Sequence, residues 1–235
     1  MKGAGYRGER FEQIIASNID NLFIVSSIAK PVFNNKVIDR ILVAGESSHL
    51  NTFLIINKID IDSEKESEFW NEVYTSIGYK VFLTSAKNEI GIEDLRNEID
   101  GKVNLFWGAS GVGKSSVLNR LYPNLKLETG DISESSQKGK HTTVTSILNK
   151  VDKDTFVIDT PGIREIDPYG IRKEDLGHYF IDFNPHFQDC RFNTCTHFHE
   201  PGCAVVEAVE NGIINELRYE SYLNILDTIE DDMNF

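Results

Sequence analysis

The feature that most constrains the fold is a glycine-rich stretch, GASGVGKS, at residues 108–115. It follows the apolar run VNLFW and precedes a segment of helical character at residues 116–121. The spacing G-x-x-x-x-G-K-S is typical of a phosphate-binding loop, in which backbone N–H groups turn towards phosphates and a helix N-terminus adds its positive dipole end. In such a loop the lysine reaches the β and γ oxygens and the serine hydroxyl ligates Mg²⁺. The residues predicted to contact the nucleotide phosphates are Gly108, Ala109, Ser110, Gly111, Val112, Gly113, Lys114, Ser115 and Ser116.

Apolar runs of strand length alternate with segments of helical spacing before this loop. Buried strands are predicted at residues 21–28, 52–56 and 80–84, and helices follow them in the sequence. The helix predicted at residues 63–77 would have Ser63 as its N-cap, with Glu66 in the capping-box position. Further helices are predicted at residues 32–44 and 92–99. This alternation predicts an α/β fold with a mostly parallel sheet, helices on both faces and ligands at the carboxyl ends of the strands.

Two short motifs follow the second and third predicted strands: NKID, which begins at Asn57, and SAK, which ends at Lys87. A carboxylate such as Asp60 can accept two hydrogen bonds from the N1–H and exocyclic amine of guanine, a donor pair that adenine lacks. Asn57 is expected to brace the two loops, while the stems of Lys58 and Lys87 cover the base faces. NKID alone could equally be a surface turn. The predicted base-site residues are Asn57, Lys58, Asp60, Ser85, Ala86 and Lys87.

Two further motifs lie beyond the phosphate loop. A polar segment at residues 131–145 contains Thr142 and Thr143, and a predicted antiparallel strand pair at residues 144–158 then leads into DTPG. In nucleoside triphosphatases an aspartate placed like Asp159 holds Mg²⁺ through water, and a glycine placed like Gly162 contacts the γ-phosphate. DTPG could also form a simple β-turn.

These five motifs are those of a GTPase, but in the order four, five, one, two, three. The chain therefore resembles the circularly permuted, ribosome-small-subunit-dependent GTPase family from Asn18 onwards. The resemblance implies hydrolysis of GTP to GDP and phosphate with Mg²⁺, in late maturation of the 30S subunit, with turnover stimulated by that subunit and contact with its rRNA. The motifs are also compatible with a guanine-nucleotide-gated binding module, or with a GTPase coupled to another RNA or protein.

All three cysteines fall within residues 190–203. Their odd number argues against a disulfide framework. Three thiolates and one imidazole would close a tetrahedral Zn²⁺ and leave no open catalytic position, so the metal would be structural. The segment resembles the family's zinc segment down to its EPGC ending, and the family pattern favours the first histidine over the rival ligand His199. The predicted ligands are Cys190, Cys195, His197 and Cys203.

The resemblance also implies roles in hydrolysis. One of Thr142 and Thr143 is expected to close on Mg²⁺ and the γ-phosphate, and the family alignment favours Thr143. The predicted magnesium residues are therefore Ser115, Thr143 and Asp159. The residue after DTPG is Ile163, which cannot orient a water molecule as a glutamine does. His141 lies in the segment GKHTT, which resembles the family's, and the resemblance makes it the candidate water-orienting residue. It could also be a solvated loop histidine. His141, Thr143 and Lys114 form the predicted catalytic set.

The net charge and the absence of long apolar runs limit the kinds of partner that the protein can bind. A formal charge of −13 disfavours a broad nucleic-acid surface, so any RNA contact is expected to be local. No long apolar run or export signal appears, which predicts a cytoplasmic protein without a membrane partner, and a monomer is expected.

The resemblance further implies a domain order. We expect a flexible lead-in or remnant linker at residues 1–17, the permuted GTPase domain at residues 18–177 and a helical zinc domain at residues 178–235. Family members carry an oligonucleotide-binding barrel upstream of the core, and we expect that barrel to be missing here by truncation. Ribosome binding is then expected to be weakened or lost.

Overall fold

The computed structural model describes residues 17–128, 147–159 and 170–229. Within these ranges, six strands form one sheet in the order β3-β2-β1-β4-β6-β5. The strands are β1 (Asn21–Ser27), β2 (Asn51–Asn57), β3 (Lys80–Leu83), β4 (Val103–Trp107), β5 (Ile147–Lys150) and β6 (Phe156–Asp159). The helices are α1 (Asn35–Ser47), α2 (Glu66–Ser76), α3 (Ile92–Ile99), α4 (Lys114–Leu121), α5 (Lys173–Leu176), α6 (Ala204–Glu210) and α7 (Glu216–Thr228).

Strand pairing confirms the mostly parallel sheet. β1 pairs in parallel with β2 and β4, β2 with β3, and β4 with β6. Only β5 is antiparallel among the described strands, and it pairs with β6 as expected from the sequence. Because parallel strands end at the same edge of a sheet, the segments that follow β2, β3 and β4 lie along one edge, together with Asp159, the last residue of β6. NKID, SAK, the phosphate loop and Asp159 are therefore neighbours in space.

The core fills both faces of the sheet. Every residue of β1 is buried, as expected for a central strand. Leu22 and Ile24 pack with residues of α1 and α2 on one face. The alternate positions, Phe23 and Val25, pack with α3 and α4 on the other. The β-α alternation thus produces the two-sided cover that the pattern predicts.

The start of α2 differs from the prediction. Ser63 does not cap the helix; the Asp62 carboxylate accepts hydrogen bonds from the backbone N–H of Glu66 at 3.1 Å and of Ser67 at 2.8 Å. Lys65 precedes the helix in the left-handed region, with φ 59°. A carboxylate has two oxygens and can satisfy two of the free N–H groups of a helix start together, whereas a serine hydroxyl reaches one.

The C-terminal helices pack around a third cluster. It includes Phe180 and Phe183 with residues of α6 and α7, and it reaches Val43 on α1. Asn35 of α1 donates to the carbonyl of Leu217 and to the hydroxyl of Ser221, both at 3.0 Å. Helix α7 is therefore attached to α1, the first helix in the described part of the chain. The domain boundary at residue 177 stays a prediction.

Candidate functional site

The phosphate loop joins β4 to α4, as the sequence predicts. Lys114 is the first residue of α4 and is 8% exposed. Its Nζ donates to the carbonyls of Gly108 at 2.6 Å and Ala109 at 3.3 Å, so the ammonium folds back over the loop. Burial lowers the pKa of Lys114, and the Asp159 carboxylate opposes that shift. These carbonyls hold the ammonium where phosphate oxygens could take their place.

Two of the loop glycines are required by close approach. A Cβ at Gly108 would lie 2.1 Å from the carbonyl oxygen of Val25 on β1. At Gly113, where φ is +98°, a Cβ would lie 2.3 Å from Nδ2 of Asn57. Neither distance is possible for a real side chain, so glycine lets the loop lie directly against β1 and the NKID segment.

Asp159 ends β6 beside this loop. Its Oδ1 is buried and has no hydrogen-bond partner among the described residues. Burial raises the pKa of Asp159, and Lys114 opposes that rise. A buried, unpaired carboxylate oxygen suits a hard cation, so Asp159 fits Mg²⁺. Ser115, the second residue of α4, carries a hydroxyl of the kind that ligates Mg²⁺ in a phosphate-binding loop. The other predicted residues of the hydrolytic site, His141, Thr142, Thr143 and Gly162, lie outside the described residues.

Asn57 connects three segments of the predicted base site. Its side chain is 2% exposed, and Nδ2 donates to the carbonyl of Val112 in the phosphate loop at 3.0 Å. Its Oδ1 accepts hydrogen bonds from the Thr84 hydroxyl at 3.2 Å and from the Ala86 N–H at 3.1 Å. The side chain thus occupies the bracing position expected from the sequence, with both ends of its amide satisfied.

Asp60 and Lys58 are also held by neighbouring loops. The Ser85 hydroxyl donates to Oδ1 of Asp60 at 2.6 Å, which orients the carboxylate. Lys58 Nζ donates to the carbonyl of Gly111 at 2.7 Å and to that of Lys30. The NKID segment is therefore linked both to the SAK segment and to the phosphate loop.

A cavity of about 560 Å³ opens between these loops. This volume is typical of small-ligand sites. Carboxylate, amide and ammonium groups converge on it, which suits a purine base with several donors and acceptors. The lining residues are Asn57, Lys58, Asp60, Ile61, Ala86, Lys87, Gly113, Ser116, Asn119 and Arg120.

A second cluster lies in the C-terminal region. The ligand atoms of Cys190, Cys195, His197 and Cys203 all lie within 4.8 Å of one another. His197 Nδ1 is 3.4 Å from the sulfur of Cys203 and 3.7 Å from that of Cys190. Bond lengths of ~2.3 Å to sulfur and ~2.0 Å to nitrogen put the ligands of a tetrahedral zinc about 3.5–3.8 Å apart. The cluster could therefore hold Zn²⁺.

The loop that carries His197 and leads to Cys203 is held by its own polar contacts. Glu200 accepts hydrogen bonds from the hydroxyl and N–H of Thr196 at 2.6 and 2.8 Å, and from the N–H groups of Phe198 and His199. Burial raises the pKa of Glu200, but these hydrogen bonds outweigh it and lower the pKa to about 2. The ring of His197 stacks on Phe187 with centroids 5.0 Å apart. His199 is exposed and lies outside the cluster.

The sequence model of the RsgA GTPase family matches residues 5–169. The chain belongs to this family. It is 42% identical to the small ribosomal subunit biogenesis GTPase RsgA of Chlorobaculum parvum, over 96% of this chain and 72% of that protein. It is 41% identical to RsgA 2 of Bacteroides thetaiotaomicron, over 93% of this chain and 71% of the relative.

Two solved structures are similar to the chain. YjeQ from Thermotoga maritima superposes with a TM-score of 0.73 at 37% identity, over 89% of this chain and 71% of that one. YloQ, described as a circularly permuted GTPase, gives 0.74 at 30% identity, over 93% and 70%. As a member of the RsgA GTPase family, the protein is a GTP-hydrolysing enzyme, and its fold is that of a circularly permuted GTPase. No helix in the described part of the chain has both the length and the apolar content needed to cross a membrane.

Two residues that line the cavity, Asn119 and Arg120, belong to no sequence motif, so the sequence alone does not indicate that they lie at the site. Asn119 Nδ2 donates to the carbonyl of Leu127 at 2.8 Å, and Arg120 Nε donates to that of Ala86 at 3.0 Å. Both side chains lie in the last two turns of α4, where a polar residue usually indicates a solvated face. Only the topology, which places the end of α4 beside the turn after β3, reveals them.

Proposed function

We propose that this GTPase acts in biogenesis of the small ribosomal subunit, hydrolysing GTP to GDP and phosphate with turnover stimulated by the 30S particle. The names of the relatives at about 40% identity support the ribosomal role. The convergence of Asn57, Asp60 and the phosphate loop on one cavity carries the guanine-nucleotide part of the proposal.

Different residues around the cavity are proposed to bind the base, the phosphates, Mg²⁺ and the attacking water. Asp60 reads guanine, while residues 108–116 bind the phosphates and Lys114 moves from the loop carbonyls to phosphate oxygens. Ser115, Asp159 and Thr143 hold Mg²⁺, which when bound neutralises charge that develops on the phosphate oxygens. Gly162 contacts the γ-phosphate, and His141 orients the attacking water.

The C-terminal cluster is proposed to hold one structural Zn²⁺ through Cys190, Cys195, His197 and Cys203. This zinc would stabilise a helical domain at residues 178–235, next to a GTPase domain at residues 18–177. We further propose that the protein is cytoplasmic and monomeric. Its contact with rRNA is proposed to be local, because a formal charge of −13 disfavours a broad nucleic-acid surface.

The test is GTP hydrolysis with and without purified 30S subunits, with Lys114→Ala to subtract contaminating activity. Strong stimulation supports the proposal. Tight GTP binding with no stimulation contradicts 30S-stimulated turnover by this chain and leaves the GTPase assignment in place. The same assay on the chain fused to an N-terminal oligonucleotide-binding barrel then decides the ribosomal role. His141→Ala is expected to lower stimulated turnover with little change in nucleotide affinity, and unchanged stimulated turnover would remove it from the mechanism.

A further inference from the structure

The guanidinium of Arg120 connects the end of α4 to the turn after β3. Arg120 Nε donates to the carbonyl of Ala86 at 3.0 Å, and Nη1 contacts Oε1 of Glu89 at 2.5 Å. Ala86 and Glu89 belong to the same turn, so two groups of one planar side chain attach to it. A guanidinium offers this two-point geometry because its N–H groups form a rigid fork.

That turn is closed by a pair of backbone hydrogen bonds. Ser85 N–H donates to the carbonyl of Ile90 at 3.0 Å, and Ile90 N–H donates to that of Ser85 at 3.1 Å. Ser85 is the first residue of this closed turn, and its hydroxyl donates a hydrogen bond to the Asp60 carboxylate at 2.6 Å. Any tilt of the turn would therefore move the carboxylate that is proposed to read guanine.

Ala86 is held from both ends of its own backbone. Its N–H donates to Oδ1 of Asn57, and its carbonyl accepts from Arg120. Ala86 is 6% exposed, whereas the Arg120 side chain is 48% exposed. An exposed arginine–glutamate pair contributes little on its own. Arg120 differs from a residue of an ordinary surface ion pair because it also donates a hydrogen bond to a buried backbone carbonyl.

We propose that Arg120 is a positioning residue for guanine recognition, acting through Ala86 and Ser85 on the Asp60 carboxylate. This inference rests on the guanine site proposed above. Helix α4 begins at Lys114 in the phosphate loop and carries Arg120 near its other end. The same short helix therefore sets the spacing between the phosphate-binding and base-binding parts of the site.

The experiment compares fluorescent GDP and IDP binding to the wild-type chain and to Arg120→Ala. IDP lacks the exocyclic amine and can make only one of the two hydrogen bonds to Asp60. Arg120→Ala should raise the Kd for GDP about threefold to tenfold, as expected for the loss of one hydrogen bond. The Kd for IDP should rise less, so the preference for GDP over IDP should fall.

Arg96→Ala is the matched control, because Arg96 Nη2 also donates to a carbonyl of α4, that of Leu121, at 2.9 Å, and Arg96 does not line the cavity. Its GDP-to-IDP preference should stay at the wild-type value. An unchanged preference in Arg120→Ala, or an equal loss for both nucleotides, would overturn the inference. If the wild-type chain itself fails to bind GDP, the proposed guanine site fails before Arg120 is tested. Melting temperatures of both variants show whether they are folded.

Discussion

Arg218 on α7 donates to the Asp39 carboxylate on α1, and the two side chains are only 1% and 0% exposed. Arg218 also contacts Asp182 at 2.8 Å, and its guanidinium lies 4.7 Å from the ring centroid of Phe180. Burial alone would lower the pKa of Arg218, but the two carboxylates raise it well above its usual range. The C-terminal helix is thus attached to the GTPase core through a buried, permanently charged group.

Replacing Arg218 with methionine should therefore destabilise the fold strongly. The variant leaves the Asp39 carboxylate buried without its cation, and breaking a buried pair in this way costs ~3–5 kcal/mol. Urea unfolding at neutral pH measures the change. Arg172→Met is the control, because Arg172 is 59% exposed and pairs with Asp175 on the surface. A loss below about 1 kcal/mol for Arg218→Met would contradict the importance of the pair.

The guanine site predicts a change of specificity in Asp60→Asn. An asparagine amide offers a donor where the carboxylate offered an acceptor, so it suits the C2 carbonyl of xanthine better than the amine of guanine. We expect GDP affinity to fall at least ~100-fold and XDP affinity to rise. Competition binding with both nucleotides measures this. Asp94→Asn, at an exposed position of α3, should behave like wild type, and a similar loss in that variant would refute a specific role for Asp60.

The zinc proposal predicts that Cys195→Ser lowers both the metal content and the melting temperature. Cys195 is 5% exposed within the C-terminal hydrophobic cluster, so loss of the metal should loosen that packing as well. Metal analysis of protein purified without chelator gives the zinc content. His199→Ala is the control, since His199 lies outside the ligand cluster. Equal zinc content in the two variants would mean that Cys195 is not a ligand.

The cap of α2 predicts an acid-sensitive contribution to stability. Slight burial raises the pKa of Asp62, but hydrogen bonds from Ser67 and Glu66 outweigh it and lower the pKa below its ordinary value. The folded state therefore favours the charged form. The contribution is present above the ordinary pKa, and it is lost as pH falls through the folded-state pKa.

Asp62→Ala should cost ~1 kcal/mol at pH 7, whereas Ser63→Ala should cost less than ~0.5 kcal/mol. Urea unfolding measures both variants at pH 7 and again below pH 4. The difference between them should shrink at the lower pH. A larger cost for Ser63→Ala would restore the serine as the cap.

The parts of the site that the sequence predicts are those whose function is carried by short, contiguous segments. The phosphate loop requires particular residues at adjacent positions, so its strand, turn and helix are readable without a structure. The bracing position of Asn57 can be predicted for a similar reason. Its motif, NKID, begins at the end of a strand, and SAK and the phosphate loop also follow strands of the same sheet.

The roles of Arg120 and Arg218 cannot be predicted from short sequence motifs. Each acts through a partner far away in the chain: Ala86 is 34 positions from Arg120, and Asp39 is 179 positions from Arg218. In a single sequence, an arginine in a helix usually indicates a solvated position. The sequence does not distinguish Asp62 from Ser63 as the cap, because aspartate and serine are both good caps and the choice depends on the path of the chain into α2.

The strand order has a consequence for how the protein is made. β1 lies inside the sheet, β2 and β3 add to one side of it, and β4 adds to the other. A chain that emerges from its N-terminal end can therefore pair each of these strands with an edge that already exists. The loops after β2 and β3, which are proposed to read the base, are synthesised before the phosphate loop. A nascent chain would therefore acquire the half of the proposed site that selects the base before the half that binds the phosphates.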